Sequence, residues 1–572
     1  MEKLKVPALI FLAALYLAAL FLYAAVLVPR PYYIQTTDLE NDYYYNARLM
    51  YRDLPSYFVQ HPGTPLYYFL SKLMLLAGDD LADTQRFLDL GYLFLMLFNF
   101  SALLIFIWFI LKHLDFGVSF FLLALVMSFP SFLTYQNYLG SDAVIVALGL
   151  PLASLIWILL SKEKKPVWFL VLGGILFGFV IAIKYSFLLL IIPLWFSLLF
   201  SAFLNKNRAE LRVIFSLPFL ALGAFLVFVS PVLYRLPAII NSSLLRDNIA
   251  SSGLRYFLVT LGSNIYTFLT VRPIFVFTIL ALIFIFLITL VDFIMRRRNE
   301  SAVLARSSFS FLGICALAYS LVSLGDISSN LAAGEELGVI VRNTAPALVI
   351  LPFLAQITLS NLPNLGSTKW RFFLAALGVL LLIESISGHV LYRNRLIQTS
   401  LAAMEETEKE LNALIPDGKY AIWTTDSKYA YGEASFHYWG NHRHALNAFD
   451  EELTQYFGEA GFFHFRTAGA LLDAADYPLP EFLQKHQRLS NLYLWWRKTF
   501  PPIYEPTRDI VTGESRNEPP AVIMFPESER EIPEERDPEL LRLIEKRFKV
   551  SAAKNKISVR GRDWTIITLV KD

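Results

Sequence analysis

The chain has 572 residues, is 56% hydrophobic and 15% aromatic, and carries a formal net charge of +2, with a mean hydropathy of +0.49. So apolar a composition belongs to membrane proteins and excludes an ordinary soluble globular protein. Lys and Arg are scattered or flank hydrophobic runs and form no basic stripe, which argues against nucleic acid as a partner, and the one cysteine, Cys315, excludes an intrachain disulfide and cysteine metal clusters.

The first apolar run, Val6 to Val28, is long enough for a bilayer core and follows Lys3 and Lys5. It is too long for a signal-peptide core and VLVPRPYY offers no small-residue cleavage site, so it reads as a retained anchor with a cytoplasmic N-terminus. Next comes a connection, residues 29–86, that is dense in acids: Asp38, Glu40, Asp42 and Asp53. Within it Glu40, Tyr43, Tyr44, Ala47 and Met50 recur at helical spacing, which predicts a helix lying on the membrane surface with Asp38 to Asp42 at its start. The segment HPGTP, from His61 to Pro65, then forces a turn before another apolar helix.

Further apolar runs fall near 87–111, 116–133, 142–160, 167–183, 186–204, 212–233, 266–294, 307–324, 338–358 and 372–391. With the anchor they make about eleven spans. Basic clusters sit at alternate connections: Lys112; Lys162, Lys164 and Lys165; Lys206, Arg208 and Arg212; Arg296 to Arg298; Lys369 and Arg371. This is the positive-inside pattern, and it places the acidic connection outside with the turn before Asp142, the turn at Lys184, the 236–264 and 325–337 segments and everything beyond 391. Residues 392–572 lack a spanning run and mix patterns, with a helix expected over Glu405 to Leu414 and strands in KYAIWTTD, AVIMFPES and, as a pair around a tight turn at Arg560 to Arg562, KISVRGRDWTIITLV. The fold expected is therefore mainly α, a polytopic membrane bundle (residues 1–391) followed by a soluble extracytoplasmic α/β or α+β domain (residues 392–572).

Acids at alternate positions can share one site, where one removes a proton from a hydroxyl while its neighbours orient the acceptor or hold a divalent cation. Capping of an interfacial helix accounts for the same acids without chemistry. His61 can donate to a phosphate or a sugar hydroxyl, or hold the turn. Lys184 and Arg342 lie at the outer ends of membrane runs, where cations are paired, snorkelling or functional. A phosphate-bearing lipid would need such groups. Asp142 reads equally as a helix N-cap, and among Arg235, Arg246, Arg255 and Arg272 one could serve a donor phosphate. Asp426, His437, Trp439, His442 and His444 form an aromatic and histidine cluster in the C-terminal part, read as surface-exposed polar groups.

The order of these pieces resembles the GT-C superfamily of membrane glycosyltransferases, nearest to its branch of protein O-mannosyltransferases and the lipid A aminoarabinose transferase. Glu40, Tyr43, Ala47 and Arg48 fit that family's loop pattern, with Leu39 where the family has the Asp of an Asp-Glu pair; His61, Pro62 and Pro65 look like its His-Pro-Pro segment, Lys184 and Tyr185 like its Lys-Tyr, and Arg342 with Pro346 like its late Arg and Pro. The Trp-Trp-Asp signature of oligosaccharyltransferases is absent, since Trp495 and Trp496 precede Arg497. The resemblance implies a polyprenyl-phosphate-linked sugar as donor, a glycan, lipid or protein hydroxyl as acceptor, and a base from Asp38, Glu40 or Asp42. Lys184, Arg342, His61, Tyr185, Asp142 and Arg272 become candidates for substrate binding, no cofactor is required beyond a possible divalent cation, and the location is the plasma membrane. The competing functions are a surface-polysaccharide polymerase or ligase acting through outer arginines, and a flippase for lipid-linked sugars.

Overall fold

The computed structural model describes residues 2–22, 38–54, 63–129, 132, 139–140, 144, 148–152, 154–155, 167–184, 187–204, 208–235, 266, 269–270, 272–296, 367–390, 420–423, 436–437, 448–457, 463–465, 522–526, 550–559 and 562–571. Its helices are α1 (Glu2–Leu22), α2 (Asp38–Tyr51), α3 (Thr64–Ala77), α4 (Thr84–His113), α5 (Phe116–Met127), α6 (Val167–Ile183), α7 (Leu188–Leu204), α8 (Arg208–Phe228), α9 (Pro273–Arg296), α10 (Thr368–Glu384) and α11 (Asp450–Phe457). Eight of them coincide with the anchor or with an apolar run. Long enough and apolar enough to cross a membrane are Leu81–Lys112, Leu211–Phe228 and Thr368–Gly388; shorter apolar helices lie at Pro7–Ala18, Phe116–Met127, Val171–Ile183 and Pro273–Ile285. The runs at 307–324 and 338–358, on which the count of eleven also rests, lie outside the described residues.

Two helix pairs run parallel, and small residues explain why they can approach. In lipid there is little hydrophobic gain from helix association, so packing depends on close backbone contact. Gly174 and Gly178 of α6 face Leu217, Leu220 and the Ala221–Phe225 backbone of α8, in the same order along both helices. In the second pair, Gly117 of α5 faces the Arg371 backbone of α10, and Gly378 faces Phe120 and Ala124. Arg371 and Asp115 close one end of that pair with a salt bridge of 3.2 Å. The starts of α5 and α10 thus lie together near Lys112 and Lys369, and the starts of α6 and α8 lie together near Arg212.

The acidic connection carries the two expected helices, α2 before the HPGTP turn and α3 after it. At 1.5 Å per residue the 30 residues of α4 reach about 45 Å, longer than the ~30 Å hydrocarbon core. α3 folds back along the first turns of α4 through the stacked rings of Phe69 and Phe94, whose centroids are 3.9 Å apart.

The expected strands form: β1 (Tyr420–Trp423), β3 (Val522–Pro526), β4 (Val550–Val559) and β5 (Arg562–Lys571), joined by an unanticipated short strand, β2 (Phe463–Phe465). Their order in one sheet is β2-β1-β3-β5-β4. β1 is parallel to both β2 and β3, while β5 is antiparallel to β3 and β4. The long β4–β5 ladder pairs Val559 with Arg562 beside the predicted turn. The helix expected over Glu405 to Leu414 lies outside the described residues.

Candidate functional site

The site is built on α2. Asp38, Glu40 and Asp42 fall in its first five positions, where unpaired backbone N–H groups and the positive end of the dipole favour carboxylates. Their side chains lie outside the described residues, as do His61, Asp142, Tyr185 and Arg342. Among the described residues no group of three His, Cys, Asp or Glu could hold a metal ion.

One turn further on, Tyr43 packs its ring against Tyr67 of α3, centroids 4.8 Å apart, and its hydroxyl lies over Gly63. The backbone of Gly63 has a φ of 142°, and a Cβ there would come within 2.9 Å of the Tyr43 hydroxyl oxygen; this is left-handed backbone that glycine adopts without strain. Gly63 N–H in turn donates to the carbonyl of Ala182, at 3.2 Å, near the end of α6. Two residues later α6 stops: Lys184 N–H donates to Val180 O and the Lys184 carbonyl accepts Phe187 N–H, bending the chain into α7. Met50 of α2 packs against a small buried cluster of Ala182, Val229 and Val232. The acidic helix, the HPGTP turn and the Lys184 turn therefore meet at one end of the bundle, with Lys184 half-buried.

The other side of α2 is not open to a membrane or to water. The surface-helix reading exposes Tyr45, Asn46 and Arg48, yet all three are fully buried. The C-terminal part covers them. The Tyr45 hydroxyl hydrogen-bonds His437 Nδ1 at 3.0 Å, and Phe449 lies 4.6 Å beneath the Arg48 guanidinium. Arg48 pairs with Asp79, Nε to Oδ1 at 2.9 Å, and closely with Glu452 of α11. Arg52 bridges the same two carboxylates, reaching Glu452 Oε2 at 3.0 Å and Asp79 more closely still. Two arginines and two acids from three separate stretches thus form one neutral network, in which Arg48 Nη1 has no hydrogen-bond partner among the described residues. Burial alone would lower the Arg48 pKa, but the surrounding Tyr44, Tyr45, Glu452 and Asp79 oxygens raise it on balance. Burial pushes the Tyr44 phenol up, with the Arg48 charge only partly offsetting this. Tyr44 and Thr84 hydroxyls, 2.9 Å apart, tie the start of α4 to α2.

His437 corrects a second expectation. It is not an exposed polar group but completely buried, and burial, followed by the nearby Arg48 charge, depresses its pKa to about 3. The depressed value makes the folded state bind fewer protons than the unfolded state between about pH 6.5 and about pH 3, so stability is lost as pH falls through that window, at up to about 1.4 kcal/mol per pH unit. Thermal unfolding at pH 7 and pH 5 is expected to show this drop in the wild type and a smaller one in His437→Gln; equal drops would refute the assignment. Asp426, Trp439, His442 and His444 lie outside the described residues.

A second buried polar cluster lies where α1, α5 and α10 end and α9 begins. Arg272, fully buried, donates from Nη2 to the Ser128 carbonyl at 3.0 Å and meets Glu384 through Nε at 3.4 Å. Tyr16 donates to Ser385 Oγ at 2.6 Å, and Ser385 donates to Leu382 O. Of the arginines weighed for a donor phosphate, Arg272 is thus held by a carboxylate in this structure.

Taken together, Tyr43 and Met50 of α2, Gly63 and the Ala182–Lys184 segment meet at one end of the bundle. The signals missed in the sequence were Arg52, one helical turn after Arg48, and the two acids that both arginines meet, Asp79 and Glu452. No protein-family model, no curated protein and no solved structure matches this chain.

Proposed function

We propose that the protein is an inverting membrane glycosyltransferase that moves a sugar from a polyprenyl-phosphate donor to a hydroxyl acceptor on the extracytoplasmic side. The observation that supports this best is the Gly63–Ala182 hydrogen bond beneath Tyr43, which joins the start of α3 to the end of α6. It gathers three stretches, singled out for chemistry on separate grounds, at one end of the bundle. In the reaction the acceptor oxygen attacks the anomeric carbon, the bond from that carbon to the phosphate oxygen breaks, and the acceptor proton passes to a carboxylate from Asp38, Glu40 or Asp42. Lys184 and Arg342 hold the departing lipid phosphate and stabilise its charge. The sheet-bearing C-terminal part, residues 392–572, forms the outer domain, and its α11 holds the acidic helix in place.

Purified protein supplied with a labelled polyprenyl-phosphate sugar and a mixed acceptor pool is expected to consume the donor. At least one of Asp38→Ala, Glu40→Ala and Asp42→Ala is expected to lower the rate by about 10²-fold or more, the range for loss of a general base. Full activity in all three would remove the carboxylate base from the reading. Full flux of labelled donor across proteoliposomes without sugar transfer would favour a flippase instead.

A further inference from the structure

The carboxylate of Glu384 sits where an anionic ligand would sit. It accepts Ile274 N–H at 2.5 Å on Oε1 and Phe275 N–H at 2.9 Å on Oε2, while Arg272 Nε approaches Oε2 at 3.4 Å. Two backbone N–H groups at the first turn of a 24-residue helix and a guanidinium on one oxyanion make the constellation by which proteins bind phosphate. Glu384 comes from another helix and satisfies it imperfectly. Among the described residues Arg272 Nη1 and Ser128 Oγ have no hydrogen-bond partner although both are buried. Leaving two such groups unpaired is costly, more so for the charged one. A carboxylate has two oxygens; a phosphate has three or four and could engage Nη1 and Oγ as well as the helix start.

The chain also provides for Glu384 to leave. Directly after it, α10 opens into a π-helical turn over Ser385–Val390, a form that occurs mostly as local bulges and often at functional sites. Ser385, the first residue of that turn, is held by Tyr16 of α1 through the 2.6 Å hydrogen bond. The cluster stands at the end of the α5–α10 pair opposite the Arg371–Asp115 bridge, which is the end read as extracytoplasmic.

We infer that Arg272, Ser128 and the α9 N-terminus form a site for the phosphate of a membrane lipid, which Glu384 occupies as a built-in competitor when the lipid is absent. This rests on the glycosyltransferase reading only for which lipid arrives. A polyprenyl phosphate, the carrier that sugar transfer releases, presents a monoester with three free oxygens, whereas the sugar-bearing donor and an ordinary phospholipid are diesters with two, and the fuller match to the unpaired donors is with the monoester.

The test is equilibrium binding in nanodiscs of the full chain, with a short-chain polyprenyl phosphate, phosphatidylglycerol and inorganic phosphate as separate probes. Glu384→Gln is expected to tighten polyprenyl phosphate binding about tenfold, as for a competent state otherwise one-tenth populated, and Arg272→Gln to abolish it. Tighter binding of phosphatidylglycerol instead keeps the site and changes its lipid. Unchanged or weaker binding of all three probes to Glu384→Gln overturns the inference and leaves a purely structural ion pair. If Glu384→Gln does not yield folded protein, Glu384→Asp, whose carboxylate is one methylene short of the Ile274 N–H, is judged by the same criterion. No sugar is transferred in this assay, so its failure leaves the glycosyltransferase reading standing, and failure of sugar transfer leaves the binding result standing.

Discussion

Replacing Arg48 by methionine is expected to lower stability by about 3 kcal/mol, the lower end of the cost of breaking a buried ion pair from one side. The side chain is fully buried between two carboxylates that are 19% and 27% exposed, so its removal leaves Asp79 and Glu452 facing each other across an apolar gap beside Tyr44 and Phe449. The loss stays at the lower end because Arg52 still reaches both acids. Arg52→Met removes the 35% exposed partner and is expected to cost about 1 kcal/mol or less, as exposed pairs do. Thermal melting in detergent separates the two, and equal losses would show that burial of Arg48 is not the cause. A second consequence follows from where the network lies. Arg48 stands on the same helix as Asp38, Glu40 and Asp42, and Glu452 lies in α11. Weakening the network frees α11 from α2, so Arg48→Met is expected to speed proteolytic release of the C-terminal part under conditions in which Arg52→Met does not.

The second large effect is expected at Gly178. A Cβ added there would lie 2.3 Å from the Ala221 carbonyl oxygen, 2.7 Å from Ala224 Cβ and 2.8 Å from the Phe225 backbone nitrogen. Two of these are backbone atoms of α8, which cannot turn aside as a side chain can. Gly178→Leu must push the helices apart, and a loss of about 3 kcal/mol is expected, the upper end for overpacking. The site moves with the helix, because Lys184 is six residues further along and Gly63 is bonded to Ala182. A displacement of about 1 Å suffices for a 10²-fold loss of rate in a positioned reaction. Gly223 gives the control: nothing lies within 4 Å of its would-be Cβ, and Gly223→Leu is expected to change stability by no more than about 0.5 kcal/mol. Similar melting temperatures for the two variants would mean that α6 and α8 do not approach as described.

These two sites mark how far local pattern reaches. The apolar runs were legible because a bilayer demands long uninterrupted hydrophobic stretches, and eight described helices fall on them. Gly178 was legible as part of a glycine-rich helix, but its partner was not, since nothing in GGILFG names Ala221. Gly63 sits in a Pro-Gly turn that any reading of HPGTP marks as a break; that its N–H finds Ala182 is a contact across more than a hundred residues.

The sequence by itself determined that this chain carries helices long and apolar enough to cross a membrane, roughly where its described apolar helices lie, that α2 starts on a cluster of acids, and that four strands lie beyond residue 391. These follow from hydropathy, helical spacing and alternation, which act over a few residues. Only the tertiary structure decided that α2 is buried on both sides, that Arg48 and Arg52 share Asp79 and Glu452, that His437 is an internal partner of Tyr45, and that Glu384 closes on Arg272 and the start of α9. Each of these is a polar group whose burial depends on a partner distant in the chain. A charged residue reads as exposed until its counter-ion is found, because local sequence carries its hydrophilicity but not the neutralising group that lets it enter the interior.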